Sequence, residues 1–201
     1  MTITALVLAA GRSTRMGSNK LLEFLGDRPL LHHTVEAALR SKANPVFVVT
    51  GHQDEAIRST LSACDVCFVA NPDYAKGLST SLKAGIAALP SSCQGVIVLL
   101  GDMPLIESSL IDRIIKTFQS SPDASAVVPT YQGEWGNPVL IARRLFDDVQ
   151  SLEGDAGARK LLMSHRDEVI ESPVETSSIL MDLDTPEALA KARGSARSNA
   201  Q

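Results

Sequence analysis

The sequence contains few cysteines and no excess of basic charge. Its 201 residues include three cysteines, and 19 lysines and arginines stand against 23 aspartates and glutamates, for a formal net charge of −4. Nucleic-acid and membrane-surface binders usually carry a basic excess, so we expect neither kind of partner. A local basic cluster in such an acidic chain instead indicates a small anionic ligand.

Long apolar runs and a charged leader are also missing. No apolar run approaches the length of a membrane span, and no basic segment precedes an apolar core near Met1. We therefore expect a cytoplasmic protein, and the three cysteines fit that reducing compartment. Cys64 and Cys67 form a C-x-x-C, but a strand-like run follows them and no second pair completes a zinc site. We expect them to pack as ordinary side chains.

The chain does show a regular alternation of strand-like and helix-like segments. Apolar runs predict strands over 3–9, 45–50, 65–70, 95–100 and 124–130, and helix-like patterns lie between them at 29–41, 53–63, 77–89 and 107–121. Several strands are apolar on consecutive positions, which is typical of parallel strands covered by helices on both faces. The alternation predicts an α/β fold with a doubly wound, mostly parallel sheet.

Beyond residue 130 the pattern changes. Residues 131–142 contain glycine, proline and the single tryptophan, and they predict an irregular or antiparallel insertion. The later predicted elements are a helical stretch over 143–164, short strands near 168–171 and 179–183, and a final helix from Pro186. We expect one domain whose second part adds a small mixed lid, and a disordered tail over 194–201.

The first predicted strand ends in a flexible, basic segment, "LVLAAGRSTRMGSNK" (6–20). In an open α/β sheet, ligands bind at the carboxyl ends of strands near the switch point. A dinucleotide fingerprint is excluded, because Ser13 and Met16 stand where its second and third glycines would be. A P-loop is excluded as well, because Gly17 follows Gly11 by six residues rather than five.

The same segment still has the composition of an anion-binding loop. Its small residues Ala9, Ala10 and Gly11 allow a ligand to approach the backbone, whose N–H groups can bind phosphate oxygens. Its three cations are Arg12, Arg15 and Lys20. A solvated turn with ordinary surface cations is the alternative.

The segment resembles the signature loop of the sugar-nucleotide and cofactor nucleotidyltransferases, A-[AG]-G-x-[SG]-x-R-M-G-x-x-K. Within that superfamily the chain most resembles the molybdenum cofactor cytidylyltransferases. Matching segments span most of the chain: "VTGHQ" (49–53), "NPDYAKGLSTSLKAGI" (71–86), "LLGDMP" (99–104), "GNPVLI" (136–141), "GDAGARKLL" (154–162) and "MDLDTPEAL" (181–189). The first loop alone is typical of the superfamily, and the combination in this order indicates the molybdopterin branch.

The resemblance implies a fold, a reaction and a set of partners. The expected fold is a Rossmann-like nucleotidyltransferase domain over 1–193, with a nucleotide-binding part (1–130) and an acceptor-side part (131–193). The expected reaction moves CMP from CTP to the terminal phosphate of Mo-molybdopterin, giving molybdopterin cytosine dinucleotide and pyrophosphate. Mg²⁺ is the expected cofactor, and a molybdenum hydroxylase or its chaperone is a further expected partner.

Nucleotidyl transfer builds negative charge on phosphate oxygens, so it needs a cationic loop, a divalent metal and carboxylates. Arg15 and Lys20 are the predicted catalytic cations. Asp102 directly follows the apolar run "VIVLLG", which places it at a strand end beside the first loop as a catalytic residue and metal ligand. By resemblance, Asp184 is the second metal ligand. Helix capping is the alternative for both aspartates.

The predicted nucleotide-binding residues lie in the first loop and in "NPDYAKGLSTS". They are Leu8, Ala9, Ala10, Gly11, Arg12 and Lys20, followed by Asn71, Gly77, Ser79 and Ser81. The serines begin a helix, where they either help its N–H groups to bind an anion or simply cap it. Family members that use cytidine read A-A-G and those that use guanosine read A-G-G, so Ala10 favours CTP.

The segments "GEWGNPVLI" and "GDAGARKLL" are predicted to form the acceptor wall, with Asn137, Asp155 and Arg159 binding the acceptor. The family commonly has a histidine where this chain has Asn137, which leaves the identity of the acceptor open. Use of GTP, use of another phosphate acceptor, and a non-catalytic carrier of the molybdenum cofactor are the alternatives. Retention of Arg15, Lys20 and Asp102 favours the enzyme, because a carrier needs no metal-bound triphosphate.

Overall fold

The computed structural model describes residues 1–12 and 19–182. Within them the strands are β1 (Thr2–Ala9), β2 (Phe24–Leu25), β3 (Arg28–Pro29), β4 (Val46–Thr50), β5 (Cys67–Ala70), β6 (Cys93–Leu100), β7 (Ala126–Tyr131), β8 (Glu134–Trp135), β9 (Val139–Ala142) and β10 (Val169–Pro173). The helices are α1 (Leu30–Leu39), α2 (Asp54–Thr60), α3 (Leu78–Ala87), α4 (Ser108–Gln119), α5 (Phe146–Val149) and α6 (Ala158–Ser164). Across these residues, every helix is too short or too polar to cross a membrane.

The main sheet follows the order β10-β7-β9-β6-β1-β4-β5, and β8 pairs with β7. Strand β1 lies between two parallel neighbours, so that Ala5 pairs with Val46 on one side and with Ile97 on the other. Strand β9 is antiparallel to both β6 and β7. The predicted doubly wound, mostly parallel sheet is confirmed. Because the chain leaves β1 first towards β4 and later towards β6, the carboxyl ends of β1 and β6 border the switch point.

Buried apolar side chains cover both faces of the sheet. Val7 belongs to a cluster with Leu31 of α1 and Ile111 of α4, while Leu6 belongs to a second cluster with Leu82 of α3. Adjacent residues of β1 therefore enter opposite layers, and both are fully buried. This double burial is the physical reason for the consecutive apolar pattern seen in the sequence.

The helices and strands predicted before residue 131 are confirmed, with ends that differ by a few residues. The helical stretch predicted over 143–164 is interrupted, because α5 ends at Val149 and α6 begins only at Ala158. Between the two helices, Gly154 adopts a left-handed backbone (φ +62°), which stops a continuous helix. The predicted antiparallel insertion is confirmed by β8 and β9.

The strand predicted near 179–183 is wrong. Ser177–Leu180 instead form a 3-10 helix, in which the Thr176 side chain accepts a hydrogen bond from Ser178 N at 3.2 Å. This capping contact favours a helical turn over an extended segment. The predicted final helix from Pro186 and the predicted tail over 194–201 lie outside the described residues.

A charged cluster joins β7 and β10 at the edge of the sheet opposite the switch point. The Arg144 guanidinium donates to Ser125 Oγ at 3.1 Å through Nε, and its Nη2 lies 3.1 Å from Glu168 Oε2. Ser125 Oγ in turn donates to Glu168 Oε2. The hydroxyl group first, and the guanidinium second, stabilise the ionised carboxylate, so the pKa of Glu168 lies below its ordinary value.

Acid should weaken the fold through this cluster. A carboxyl group with a lowered folded-state pKa stabilises the fold above its unfolded pKa, and that contribution is lost as the pH falls through the lower folded value. We expect Glu168→Gln to unfold more easily than wild type at neutral pH, and to lose less further stability when the pH falls below the ordinary value of 4.5. Urea unfolding across that pH range measures both quantities.

The matched control is Glu153→Gln, since the Glu153 side chain is exposed and makes no hydrogen bond or ion pair with the described residues. This control should follow the wild-type pH dependence. If Glu168→Gln and wild type show the same pH dependence of the free energy of unfolding, the ionised Glu168 side chain does not stabilise the fold.

Candidate active site

The carboxyl ends of β1 and β6 bring Lys20 and Asp102 together, although 82 residues separate them in the chain. Lys20 Nζ lies 2.5 Å from Asp102 Oδ2, and each side chain is 14 % exposed. An ion pair in this partly buried position is screened less by water than a surface pair. The structure thus joins two of the residues predicted to be catalytic.

Local packing explains why these two side chains meet. Gly101 N donates to Leu8 O at 3.0 Å, which carries the β1–β6 contact one residue beyond β6. A Cβ at Gly101 would lie 3.0 Å from Leu8 O and from Leu31 Cδ1, so a larger residue would push the strand ends apart. On the other side, buried Asn19 accepts from Leu21 N at 3.2 Å and caps the 3-10 turn Lys20–Leu22.

Of the two predicted metal ligands, the structure describes only Asp102. Among residues 1–12 and 19–182, no group of three or more histidines, cysteines or carboxylates could hold a metal. Mg²⁺ usually takes only one or two protein carboxylates and fills its shell with water and substrate phosphates. Asp102 supplies one such carboxylate at the strand end. Helix capping does not explain this aspartate, because α4 begins after Glu107. Asp184 and Arg15 lie outside the described residues.

The loop after β1 is attached to the end of β4. Ala10 O accepts a hydrogen bond from His52 N at 3.2 Å. A Cβ on Gly51 would lie 2.9 Å from Ala10 Cβ and 2.7 Å from Tyr74 Cβ, so only glycine fits between them. Ala10 is therefore buried against this neighbouring loop.

The other predicted loop residues divide between core and surface. Leu8 and Ala9 are buried, while Gly11 and Arg12 are exposed. The Arg12 guanidinium lies 5.4 Å from the centre of the Tyr74 ring, within cation–π distance. Tyr74 was not predicted from the sequence as a residue near the site. It could have been singled out because it is the one aromatic residue in the otherwise small and polar segment "NPDYAKG".

Asn71 connects the end of β5 to the start of α3. Its Nδ2 donates to Thr80 Oγ1 at 2.9 Å and to Ser81 Oγ at 3.0 Å, and its Oδ1 accepts from Asp73 N at 3.0 Å. Both amide hydrogens are thus used within the protein, and Asn71 positions the start of the helix. Direct contact of Asn71 with the ribose or base stays a prediction.

Only glycine fits at position 77, because the backbone of Gly154, in the segment predicted to bind the acceptor, lies against it. Gly77 adopts φ +115°, and a Cβ there would lie 2.3 Å from the backbone carbon of Gly154. Gly154 O accepts from the backbone N–H of Ser79 at 3.1 Å. Ser79 and Ser81 are both buried. The predicted nucleotide-binding and acceptor-binding segments therefore touch at the first turn of α3.

A cavity of about 240 Å³ opens at the carboxyl ends of β1 and β6, and neither Lys20 nor Asp102 lines it. Its walls include Leu8 and Leu100, the residues that flank the β1–β6 contact next to Asp102. Asn137 and Arg159, two of the predicted acceptor residues, also line the cavity. The third, Asp155, is exposed nearby and is not part of the lining.

An open α/β sheet with a lysine–aspartate pair at its switch point, near a loop of small residues, agrees with the α/β nucleotidyltransferase class that the resemblance implies. Comparison with known families agrees with this class. The model of the MobA-like NTP transferase domain matches residues 5–169. The chain therefore belongs to the MobA-like NTP transferase family.

Known relatives cover nearly the whole chain. The molybdenum cofactor cytidylyltransferase of Escherichia coli (strain K12) is 26 % identical over 186 residues, covering 92 % of each chain. Purine catabolism protein PucB of Bacillus subtilis (strain 168) is 29 % identical over 198 residues, covering 90 % of each. The crystal structure of Rv0371c from Mycobacterium tuberculosis H37Rv in complex with manganese has a TM-score of 0.80 and 29 % identity, covering 97 % of this chain and 100 % of that one.

Proposed function

We propose that the protein transfers CMP from CTP to the terminal phosphate of Mo-molybdopterin, forming molybdopterin cytosine dinucleotide and pyrophosphate. The Lys20–Asp102 pair carries the proposal, because it lies at the switch point with 2.5 Å between the charged atoms. Asn137 and Arg159 line a cavity at the same end of the sheet, which supports a role for them in binding the acceptor. The choice of nucleotide and acceptor is supported by the likeness to the Escherichia coli cytidylyltransferase.

In the proposed reaction, an oxygen of the acceptor phosphate forms a bond to the α-phosphorus of CTP. The bond from that phosphorus to the bridging oxygen breaks, and its electron pair leaves with pyrophosphate. A phosphate is already ionised at neutral pH, so the attacking group needs no strong general base. The protein's main task is to position the two phosphates and to balance their charge. Lys20 supplies a compact positive charge for this purpose.

Asp102 is the residue that would hold Mg²⁺. The ion, when bound, would neutralise charge on the phosphate oxygens of CTP. Asp102 Oδ2 is held by Lys20, whereas Oδ1 makes no hydrogen bond with a described residue. The lysine therefore orients the carboxylate without using both of its oxygens. Asp184 is the second proposed ligand.

The proposal includes a cellular setting. The three cysteines are free thiols, which fit the reducing cytoplasm. A molybdenum hydroxylase or its chaperone is the proposed recipient of the product, on the resemblance alone.

The direct test is to incubate the protein with Mg²⁺, molybdopterin and each nucleoside triphosphate in turn, and to measure pyrophosphate. We expect release with CTP and far less with GTP. Ala10→Gly removes a buried methyl group beside Gly51 and Tyr74, and we expect it to raise the use of GTP relative to CTP by about tenfold, the usual effect of one such group.

The matched control is Ala43→Gly, which removes a buried methyl group before β4, at the opposite edge of the sheet. It should leave the ratio of CTP to GTP use unchanged. No pyrophosphate with any nucleotide would contradict the proposed reaction, and release with GTP alone would replace it by guanylyl transfer.

A further inference from the structure

Trp135 is the single tryptophan of the chain, and it lines the cavity together with Leu8 of β1 and Leu100 of β6. It lies in β8, where it pairs with Thr130 of β7. Only 7 % of its surface is exposed, so its ring is a fixed wall of the cavity and not a mobile surface group. Aromatic residues in such positions provide a large flat contact area for a ligand.

Two side chains of opposite charge hold the indole ring in place. Trp135 Nε1 donates to Glu171 Oε1 at 2.7 Å. The Arg166 guanidinium lies 5.2 Å from the ring centre, and its Nη2 is 3.9 Å from the same carboxylate oxygen. Arg166 lies over one face of the ring, and Trp135 also contributes to the cavity wall. A ring fixed in this way loses little conformational freedom when a ligand stacks on it.

The rest of the lining combines aliphatic walls with two polar groups. Leu82 and Val139 are among the aliphatic residues, and Asn137 and Arg159 are the polar ones. Among the described residues, neither the Asn137 side chain nor the Arg159 guanidinium has a hydrogen-bond or ion-pair partner. The flat ring of Trp135, the Asn137 amide and the Arg159 guanidinium could together bind a ligand of one kind. That ligand is a heteroaromatic ring with a polar edge and an attached anionic group.

We propose that Trp135 determines acceptor specificity by stacking on a flat heteroaromatic ring of the acceptor. In this arrangement Asn137 binds the polar edge of that ring, and Arg159 binds its phosphate. The inference rests on the proposed function, because Leu100 lines the cavity and the proposed metal ligand Asp102 follows Leu100 closely in the chain. Phosphates of aliphatic sugars or alcohols offer no aromatic face, so Trp135 discriminates against them.

Indole fluorescence reports on this site directly, because the chain has one tryptophan. The intact protein is titrated with hydroxymethylpterin monophosphate and, separately, with glycerol phosphate, in the absence of any nucleotide. We expect a saturable loss of indole fluorescence with the pterin and none with glycerol phosphate. The absence of a saturable change with the pterin overturns the inference.

Two variants separate stacking from simple packing. Trp135→Phe keeps an aromatic ring, whereas Trp135→Leu removes it, and binding to both is followed through the fluorescence of the pterin itself. We expect Trp135→Leu to bind the pterin about tenfold more weakly, the size of one stacking contact, and Trp135→Phe to retain most of the affinity. Phe118→Leu, in the opposite layer on α4, is the matched control. Equal affinity of Trp135→Leu and wild type overturns the inference.

Failure of this inference can be told from failure of the proposed function. Binding of the pterin requires neither CTP nor turnover, so wild type that binds it but releases no pyrophosphate contradicts only the proposed reaction. Steady-state kinetics with molybdopterin test whether the Trp135 inference fails while the proposed reaction holds. If wild type releases pyrophosphate, Trp135→Leu should raise the KM for the acceptor about tenfold with little change in kcat, and an unchanged KM would remove Trp135 from the acceptor site.

Discussion

Asp102→Asn should reduce pyrophosphate release by about 10²–10³-fold, the usual effect of removing one charge-stabilising group from an active site. Asparagine has nearly the same shape as aspartate, so the packing beside Gly101 is kept. It lacks the negative charge that pairs with Lys20 at 2.5 Å, and it is a poorer ligand for a hard cation. The loss should therefore affect turnover and leave the fold intact.

The measurement is the initial rate of pyrophosphate release, with thermal unfolding as the check on the fold. Asp123→Asn is the matched control, because Asp123 is exposed near the amino end of β7, far along the sheet from the switch point. This control should keep wild-type activity. Wild-type activity in Asp102→Asn would remove the proposed metal ligand and, with it, the main support for the proposed reaction.

Lys20→Met should lower kcat/KM for CTP by about 10²-fold. Methionine has a similar length and fills the partly buried position, but it supplies no positive charge for the phosphates and no partner for Asp102. Lys20→Arg should recover part of the activity, because it restores the charge in a different geometry. The exposed Lys116, in the last turn of α4, gives the matched control Lys116→Met, which should retain activity.

The double variant Lys20→Met/Asp102→Asn tests whether the pair acts as one unit. Residues that work together show strongly non-additive effects. We therefore expect the double variant to be little worse than Asp102→Asn alone. Losses that multiply would show that the two residues contribute independently, and the 2.5 Å contact would then have no catalytic meaning.

Much of the fold could be predicted because its signals are local. Leu6 and Val7 are buried in opposite layers, and that double burial appears in the sequence as an unbroken apolar run. An antiparallel segment near residues 131–142 could also be predicted, but the place of β9 in the sheet could not. Long-range packing alone puts β9 between β6 and β7.

In the candidate site too, some features could be predicted from the sequence and others depend on long-range packing. Lys20 and Asp102 could be predicted to meet, since strand ends at a switch point share one edge of the sheet. The sequence did not reveal that the amide hydrogens of Asn71 are used within the protein, or that Gly77 makes room for Gly154. Nor did it reveal that Trp135 faces a cavity, because the partners of these groups are distant in the chain.

The placement of β9 has a consequence for how the protein is made. By residue 131 the ribosome has supplied Lys20, Asp102 and seven of the strand-forming segments. The sheet is still open at that stage, because the described neighbours of β7 (β8, β9 and β10) and one neighbour of β6 are not yet synthesised. Unpaired strand edges of this kind favour association with other chains. Val139–Ala142 covers one edge of β6 and one edge of β7 at the same time, so these edges stay open until well after Lys20 and Asp102 have been synthesised.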